Sequence, residues 1–155
     1  MQHHWAKGPR GWIGAICLMF SSLVLAQTAP AGVVQTLRGE ARIERAGQTL
    51  QAEVGMPVMA QDRIVTQPLA SIGITLADNT RIALGGRSNM VLEQYQFNAA
   101  SNEGSLAMRV LRGSLGTVTG LIGRRPGNTI EVRTKTATAG VRGTEFLVEV
   151  PDNEN

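Results

Sequence analysis

The stretch ASIGITLADNTRIAL, residues 70–84, decides the fold of this chain. Apolar residues stand at every second position through residues 70–76 and again through 82–84, on either side of the turn-forming pair at 78–79. Because successive side chains of a strand point to opposite faces, strict alternation places one set of side chains on a single face. The pattern predicts two half-buried strands joined by a tight turn.

The same alternation recurs along the rest of the chain. Turn-forming residues separate the runs, at 46–47, 85–86, 102–104, 112–113 and 124–128, and no comparable stretch has a helical period. The alternating apolar positions are Ala41 and Ile43; Met90 and Leu92; Leu106, Met108 and Val110; Leu115 and Val118; Ile130 and Val132; and Phe146, Val148 and Val150. These short, evenly spaced runs predict an all-β domain.

Aromatic residues are scarce, which bears on the kind of β-architecture. Beyond residue 26 they are only Tyr95, Phe97 and Phe146. A sandwich usually fills the space between its sheets with large aromatic side chains, whereas a narrow interior is filled by Val, Ile, Leu and Ala. We therefore expect a β-solenoid-like roll of short strands, with a β-sandwich as the alternative.

The N-terminus has the three-part pattern of a secretory signal peptide. Lys7 and Arg10 precede a largely apolar run over residues 11–25, which ends in small residues that fit cleavage after Ala26. The run is shorter than the roughly 20 apolar residues of a membrane-spanning helix. We expect export to the periplasm with residues 1–26 removed; an uncleaved leader, the alternative, would add membrane contact.

Removing the leader would also remove most of the reactive side chains. Both histidines, both tryptophans and the single cysteine lie within residues 1–26, and Lys135 is the one lysine of the remainder. Such a chain has no histidine and no cysteine, and serine hydrolases and the common zinc and haem sites usually depend on one or both of these residues. Asp62 and Asp78 could formally serve a glycosidase, but turn aspartates usually bond to nearby backbone. We expect no enzyme activity and no cofactor or metal.

Positive charge is concentrated in one part of the chain. Residues 104–144 contain seven basic residues and a single acid, Glu131, whereas residues 145–155 contain four acids and no base. Such a segment predicts either a solvated strand face or a surface for an acidic partner. Nucleic acid is not expected, because no platform of aromatic side chains is visible. The candidate partner-binding residues are Arg109, Arg112, Arg124, Arg125, Arg133 and Lys135.

Residues 134–146, TKTATAGVRGTEF, form the most distinctive motif. They resemble the signature of the FecR domain family, Thr-x-Thr-Ala-x-x-Gly-Val-Arg-Gly-Thr-x-Phe, and weaker similarity extends over residues 33–150. We expect 27–32 to be a short linker and 151–155 an acidic tail. The resemblance marks a set of signature or structural residues: Gly140, Val141, Arg142, Gly143, Thr144, Phe146, Asp62 and Asp78.

Arg142 has two interpretations within this motif. Its small and apolar neighbours favour a partly buried guanidinium that fastens strand ends, with Asp62 or Asp78 as its partner. The alternative is a hook for a carboxylate or phosphate of another molecule. Gly140 and Gly143 are expected to adopt positive φ or to allow another segment close approach.

The resemblance implies a β roll and a role in signalling. FecR-like regulators sit in the periplasm, relay a signal from an outer-membrane transporter and control a sigma factor through a cytoplasmic domain. Only ten residues precede the apolar run here, and the chain ends soon after the signature, so we do not expect direct anti-sigma action. We expect an exported interaction module that senses or relays a signal through protein contacts; the alternative is a module binding cell-wall or surface polysaccharide, an anionic envelope polymer.

Overall fold

The computed structural model describes residues 29–151. The predicted signal peptide, the start of the linker and residues 152–155 of the acidic tail lie outside this range. Within it, no helix has the length and apolar character needed to cross a membrane.

Twelve strands and one helical turn make up the described part of the chain. The strands are β1 (Gly32–Arg38), β2 (Ala41–Arg45), β3 (Gln48–Gln51), β4 (Pro57–Val58), β5 (Arg63–Thr66), β6 (Ser71–Leu76), β7 (Arg81–Leu84), β8 (Asn89–Asn98), β9 (Glu103–Val118), β10 (Thr129–Arg133), β11 (Thr138–Gly140) and β12 (Glu145–Val150); the helical turn is α1 (Leu121–Arg124). The strands form one sheet that curls into a half-barrel. The predicted all-β roll is confirmed.

Strand β9 is the axis of the sheet. Its first half pairs with β8 on one side and, in parallel, with β10 on the other. Its second half pairs with β7 and β12, both antiparallel. The path β3-β2-β5-β8-β9-β7-β6-β1-β4 therefore runs through it, and β10, β11 and β12 extend from its far side.

The prediction of a turn at residues 112–113 is wrong, because β9 continues through these residues. Gly113 has a φ of 87°, which bends the strand, and a Cβ at this position would collide with Ser88. The Ser88 hydroxyl donates to the carbonyl of Ser114 at 3.2 Å and accepts from its N–H at 3.0 Å. The Ser88 side chain thus holds a bend in β9 at the place where the sequence predicted a turn.

The core lies inside the curl and is almost entirely aliphatic. Side chains such as Ile64, Ile74, Leu92, Met108 and Leu115 are fully buried. The aromatic residues Tyr95, Phe97 and Phe146 are partly exposed and pack against the margin of this core. A narrow interior of branched aliphatic side chains accounts for the scarcity of aromatics in the sequence.

Candidate functional site

Asp62 is buried and bound by an arginine of the neighbouring strand. Its carboxylate accepts from Arg45 at both oxygens, Nε to Oδ1 at 2.8 Å and Nη2 to Oδ2 at 2.7 Å, and from the N–H of Met59 at 2.8 Å. Arg45 also donates to the carbonyl of Pro57. The side-chain hydrogen bond to Asp62 raises the pKa of Arg45 above its ordinary value. This bidentate pair closes the β4–β5 turn onto β2.

Asp78 is buried too, and it fixes the helical turn α1. Its Oδ2 accepts from the Thr80 hydroxyl at 2.7 Å and from the N–H of Ile122 at 3.2 Å. Its Oδ1 accepts from the N–H of Thr80 at 3.2 Å and from the Tyr95 hydroxyl at 3.1 Å. The Asp78 carbonyl also accepts from the N–H of Leu121 at 2.8 Å. The β6–β7 turn thus anchors the segment that follows β9.

Tyr95 gives this cluster a measurable dependence on pH. Burial, followed by the charge of Asp78, raises the pKa of the phenol well above its ordinary value. The unfolded chain therefore releases this proton at a lower pH than the folded chain. The stabilisation of the folded state by the protonated phenol is fully present below pH about 10, and it is lost as the pH rises beyond that value.

Replacing Tyr95 by Phe is expected to reduce the slope with which stability falls at alkaline pH. Tyr95 is the one tyrosine of the chain, so near-ultraviolet phenolate absorbance reports this residue alone. In the wild type, phenolate formation should coincide with alkaline unfolding followed by circular dichroism. Ionisation at the pH of a free tyrosine, with the fold intact, would show that the phenol is not held in the cluster.

The signature residues form an arm and a connection beside α1. Strand β11 pairs with β10, and the turn between them is closed by Thr134, whose N–H donates to the carbonyl of Ala137 at 2.8 Å. Residues 141–144 then lead into β12. Thr119 fastens this connection, because its hydroxyl donates to the carbonyl of Gly143 at 2.7 Å and its N–H to that of Thr144 at 2.8 Å.

The expected burial of Arg142 is wrong. Its side chain is exposed, and the two aspartates proposed as its partners are occupied by Arg45 and by the α1 cluster. Gly143 has a positive φ of 152° and Gly140 does not, and a Cβ added at either glycine would meet no atom of another segment within 4 Å. The residues that follow Arg142, Gly143 and Thr144, are exposed as well and do not enclose its guanidinium, so the charge of Arg142 faces solvent.

Arg142 lies on a small cavity between α1 and the signature connection, which we call the arginine cavity. Its volume is about 220 Å³. Arg124 and Arg125 line it together with Arg142, and the buried side chains of Ile122 and Ile130 contribute apolar lining. The remaining lining residues are Gly123, Pro126, Gly127, Asn128 and Val141. None of the residues that line the cavity is acidic, so its charge is positive.

Two of the four other predicted partner-binding residues are engaged by acids. Arg109 and Arg133 both contact Glu93, at 2.5 and 3.2 Å, and Arg133 also contacts Glu131 at 2.8 Å. The hydrogen bond to Glu131 is the largest cause of a raised pKa at Arg133. Arg112 lies on a different cavity, and Lys135 is exposed in the turn at the tip of the β10–β11 arm.

Arg125 is tethered at the rim of the arginine cavity. Its guanidinium donates to the carbonyl of Ser101 at 2.5 Å and contacts Glu103 at 3.4 Å. The side chains of Arg124 and Arg142 make no hydrogen bond or ion pair within residues 29–151. These two side chains are therefore available to a partner, with Arg125 held beside them.

Sequence reasoning missed two residues that organise these clusters, Arg45 and Tyr95. Residues 41–44 pair in order with 66–63, so one further step places Arg45 opposite Asp62. Because this register exists only in the folded sheet, no sequence signal pointed to Arg45. For Tyr95 the signal was a lone tyrosine at a half-buried strand position, because a buried hydroxyl requires a polar partner.

Within the described residues, no three His, Cys, Asp or Glu side chains lie close enough to hold a metal ion. The geometry instead presents an all-β module with two buried carboxylate clusters and an arginine-lined cavity beside its signature motif.

Comparison with protein families identifies that module. The model of the family described as FecR protein matches residues 62–155, and the chain belongs to the FecR family. This family is involved in signal transduction in the cell envelope. No curated protein and no solved structure matches the chain. The matched region begins at Asp62, although β1 to β4 belong to the same sheet.

Proposed function

We propose that this chain is an exported, non-enzymatic interaction module of the bacterial cell envelope, which senses or relays a signal through protein contacts in the periplasm. The family's role in envelope signalling supports the first part of this proposal, and the leader pattern of residues 1–26 supports export. The contact surface we propose is the arginine cavity, with Arg124 and Arg142 as the residues that bind the partner.

The observation that carries the proposal is the composition of this cavity. Two chain segments bring three guanidinium groups to a small space that has apolar side chains in its lining and no acid among its lining residues. Its volume of about 220 Å³ is below the roughly 300–1,000 Å³ of pockets for drug-sized ligands. It is suited to one anchoring side chain of a partner, an acidic group with apolar neighbours.

The charge distribution favours a protein partner over an anionic polymer. A polymer is held by an extended row of available cations, with a strong dependence on salt. Here Glu93 and Glu131 neutralise Arg109 and Arg133, and these lie on the middle of the predicted basic face. The other basic residues of this segment lie apart from one another: Arg124, Arg125 and Arg142 on the arginine cavity, Lys135 at the tip of the β10–β11 arm, and Arg112 on a different cavity. They do not form an extended row.

Site-specific photo-cross-linking in the cells that produce the protein tests this proposal. A photoreactive residue at Thr144, which is exposed beside Arg142, is expected to give a discrete cross-linked protein, whereas the same residue at exposed Gln48 on β3 is not. Adding Arg142→Gln should remove most of the Thr144 product. Equal products from both positions, or a product that survives Arg142→Gln, would contradict a partner seated on this cavity.

The polymer alternative predicts a different result. Retention of the purified protein on dextran sulfate beads would then fall steeply between low and physiological ionic strength. We expect weak retention at both, and Arg124→Gln should change it little.

A further inference from the structure

A second cavity also gathers arginines, and we call it the β5–β7 cavity because it is lined by residues of the segments that follow β5 and β7. Its volume is about 280 Å³. Arg42 of β2, Arg87 of the β7–β8 turn and Arg112 of β9 all line it, so three separate segments each contribute one guanidinium. The other lining residues are Val65, Thr66, Gln67 and Pro68. No acid is among them.

The backbone around this cavity is rigidly held. The N–H of Ser88 donates to the Thr66 hydroxyl at 2.9 Å, and that hydroxyl donates to the carbonyl of Gly85 at 2.6 Å. The N–H of Arg87 donates to the carbonyl of Gln67 at 3.2 Å. A Cβ on Gly86 would collide with the carbonyl of Pro68, so the two turns are in direct contact. The backbone of Arg87 is therefore held in place before any ligand arrives.

Arg87 occupies this position in an unfavourable backbone conformation. Its φ is 54°, in the left-handed region that glycine and asparagine adopt more easily than arginine. Glycine or asparagine would make the β7–β8 turn more stable, since the side chain of Arg87 is exposed and does not pack into the core. Such a residue costs stability, and strain of this kind is characteristic of functional positions.

Arg42 and Arg87 both keep N–H donors that a ligand in the cavity can use. Arg42 contacts Glu44 through Nε at 3.2 Å, and Glu44 is shared with Arg63 at 3.8 Å. A guanidinium carries five N–H donors, so one contact through Nε leaves the other donors of Arg42 for a ligand. Arg87, in the β7–β8 turn, contributes the N–H donors of a second guanidinium.

We propose that the β5–β7 cavity binds a phosphate-type oxyanion. Its lining is mainly polar, in contrast to the apolar base of the arginine cavity, and Arg42 and Arg87 bring guanidinium groups to it from two separate segments. A phosphate monoester carries a charge of about −1.5 to −2 and three acceptor oxygens, whereas a carboxylate has a single charge and two oxygens. The phosphate group is the better match in charge and in number of acceptors. This site is separate from the proposed protein contact and does not depend on it.

Titration of the isotope-labelled protein with inorganic phosphate, followed by nuclear magnetic resonance at constant ionic strength, tests the proposal. The amides of residues 66–68 and 86–88 are expected to shift saturably. Arg87→Asn should weaken this binding about tenfold, since it removes a charge-assisted contact. The same variant should keep or slightly raise the thermal midpoint, because asparagine tolerates the left-handed conformation.

Arg142→Gln is the matched control, because it removes an exposed arginine from the other cavity and should leave the phosphate-induced shifts of residues 66–68 and 86–88 unchanged. Shifts that do not saturate, or that Arg87→Asn leaves as they are, would overturn the proposal. Sedimentation with phosphatidylcholine vesicles containing phosphatidic acid identifies the source of the phosphate. Binding that is lost in Arg87→Asn supports a lipid headgroup, and free-phosphate binding without vesicle binding supports a soluble phosphate ester.

Discussion

Replacing Asp78 by Ala is expected to lower the free energy of unfolding by about 3–5 kcal/mol, because several buried donors lose their acceptor together. The Thr80 hydroxyl, the Tyr95 hydroxyl and the N–H of Ile122 all donate to this carboxylate. Denaturant unfolding followed by circular dichroism measures the loss. The neighbouring variant Asn79→Gly should have little effect, since Asn79 is exposed with a positive φ of 66° that glycine accepts.

The same substitution should also disturb the arginine cavity. Ile122 belongs to its lining, and the Asp78 cluster is what fixes α1. In the fraction of Asp78→Ala that remains folded, the Thr144 cross-link should weaken even though Arg142 is intact. Unchanged stability together with an unchanged cross-link would show that Asp78 does not position α1.

Replacing Arg45 by Ala is expected to lower the free energy of unfolding by about 2–3 kcal/mol, since it leaves a buried carboxylate without its cation. The value is below that of a fully buried pair because the Arg45 side chain is 31% exposed, whereas Asp62 is 0% exposed. Arg45→Lys should recover only part of the loss, because an ammonium cannot reproduce the bidentate contact.

Arg63→Ala provides the comparison on the adjacent strand. Arg63 is exposed and its contact with Glu44 is 3.8 Å, so the expected cost is about 0–1 kcal/mol. A double-mutant cycle of Arg45→Ala with Asp62→Asn isolates the pair itself. Additive effects in that cycle would mean that the pair contributes no coupling energy, contrary to its short bidentate geometry.

The alternating pattern predicted the strands in which one face is buried along the whole run, because that burial depends on local sequence; these are β2, β6, β7, β8, β10, β12 and, as two separate runs, β9. The strands β1, β3, β4, β5 and β11 were not predicted by it. Residues 70–84 form β6, a turn at 78–79 and β7, as their alternation predicts. The alternating pattern could not predict that Gly113 bends β9 and does not end the strand. That outcome depends on Ser88, which lies far away in the sequence and reaches Ser114 only when β8 and β9 are paired.

Long-range pairing also explains why the site was only partly predictable. Counting charges along residues 104–144 identified the basic residues but missed Glu93, which contacts Arg109 and Arg133 from β8. The predicted partner of Asp62 was Arg142, yet the register of β2 and β5 brings Arg45 there instead. Arg124 and Arg142 meet on one cavity because α1 and the signature connection are both fastened through Thr119 and Asp78, which no sequence spacing reveals.

The most direct test of the proposed function is the affinity of the purified protein for the partner that the Thr144 cross-link identifies. Arg142→Gln and Arg124→Gln should each weaken that affinity about tenfold, since each removes a charge-assisted contact at the centre of the interface. Arg87→Asn, which changes the other cavity, should leave it unchanged. Equal affinities for the wild type, Arg142→Gln and Arg124→Gln would contradict the assignment of the arginine cavity as the surface through which this protein contacts its partner.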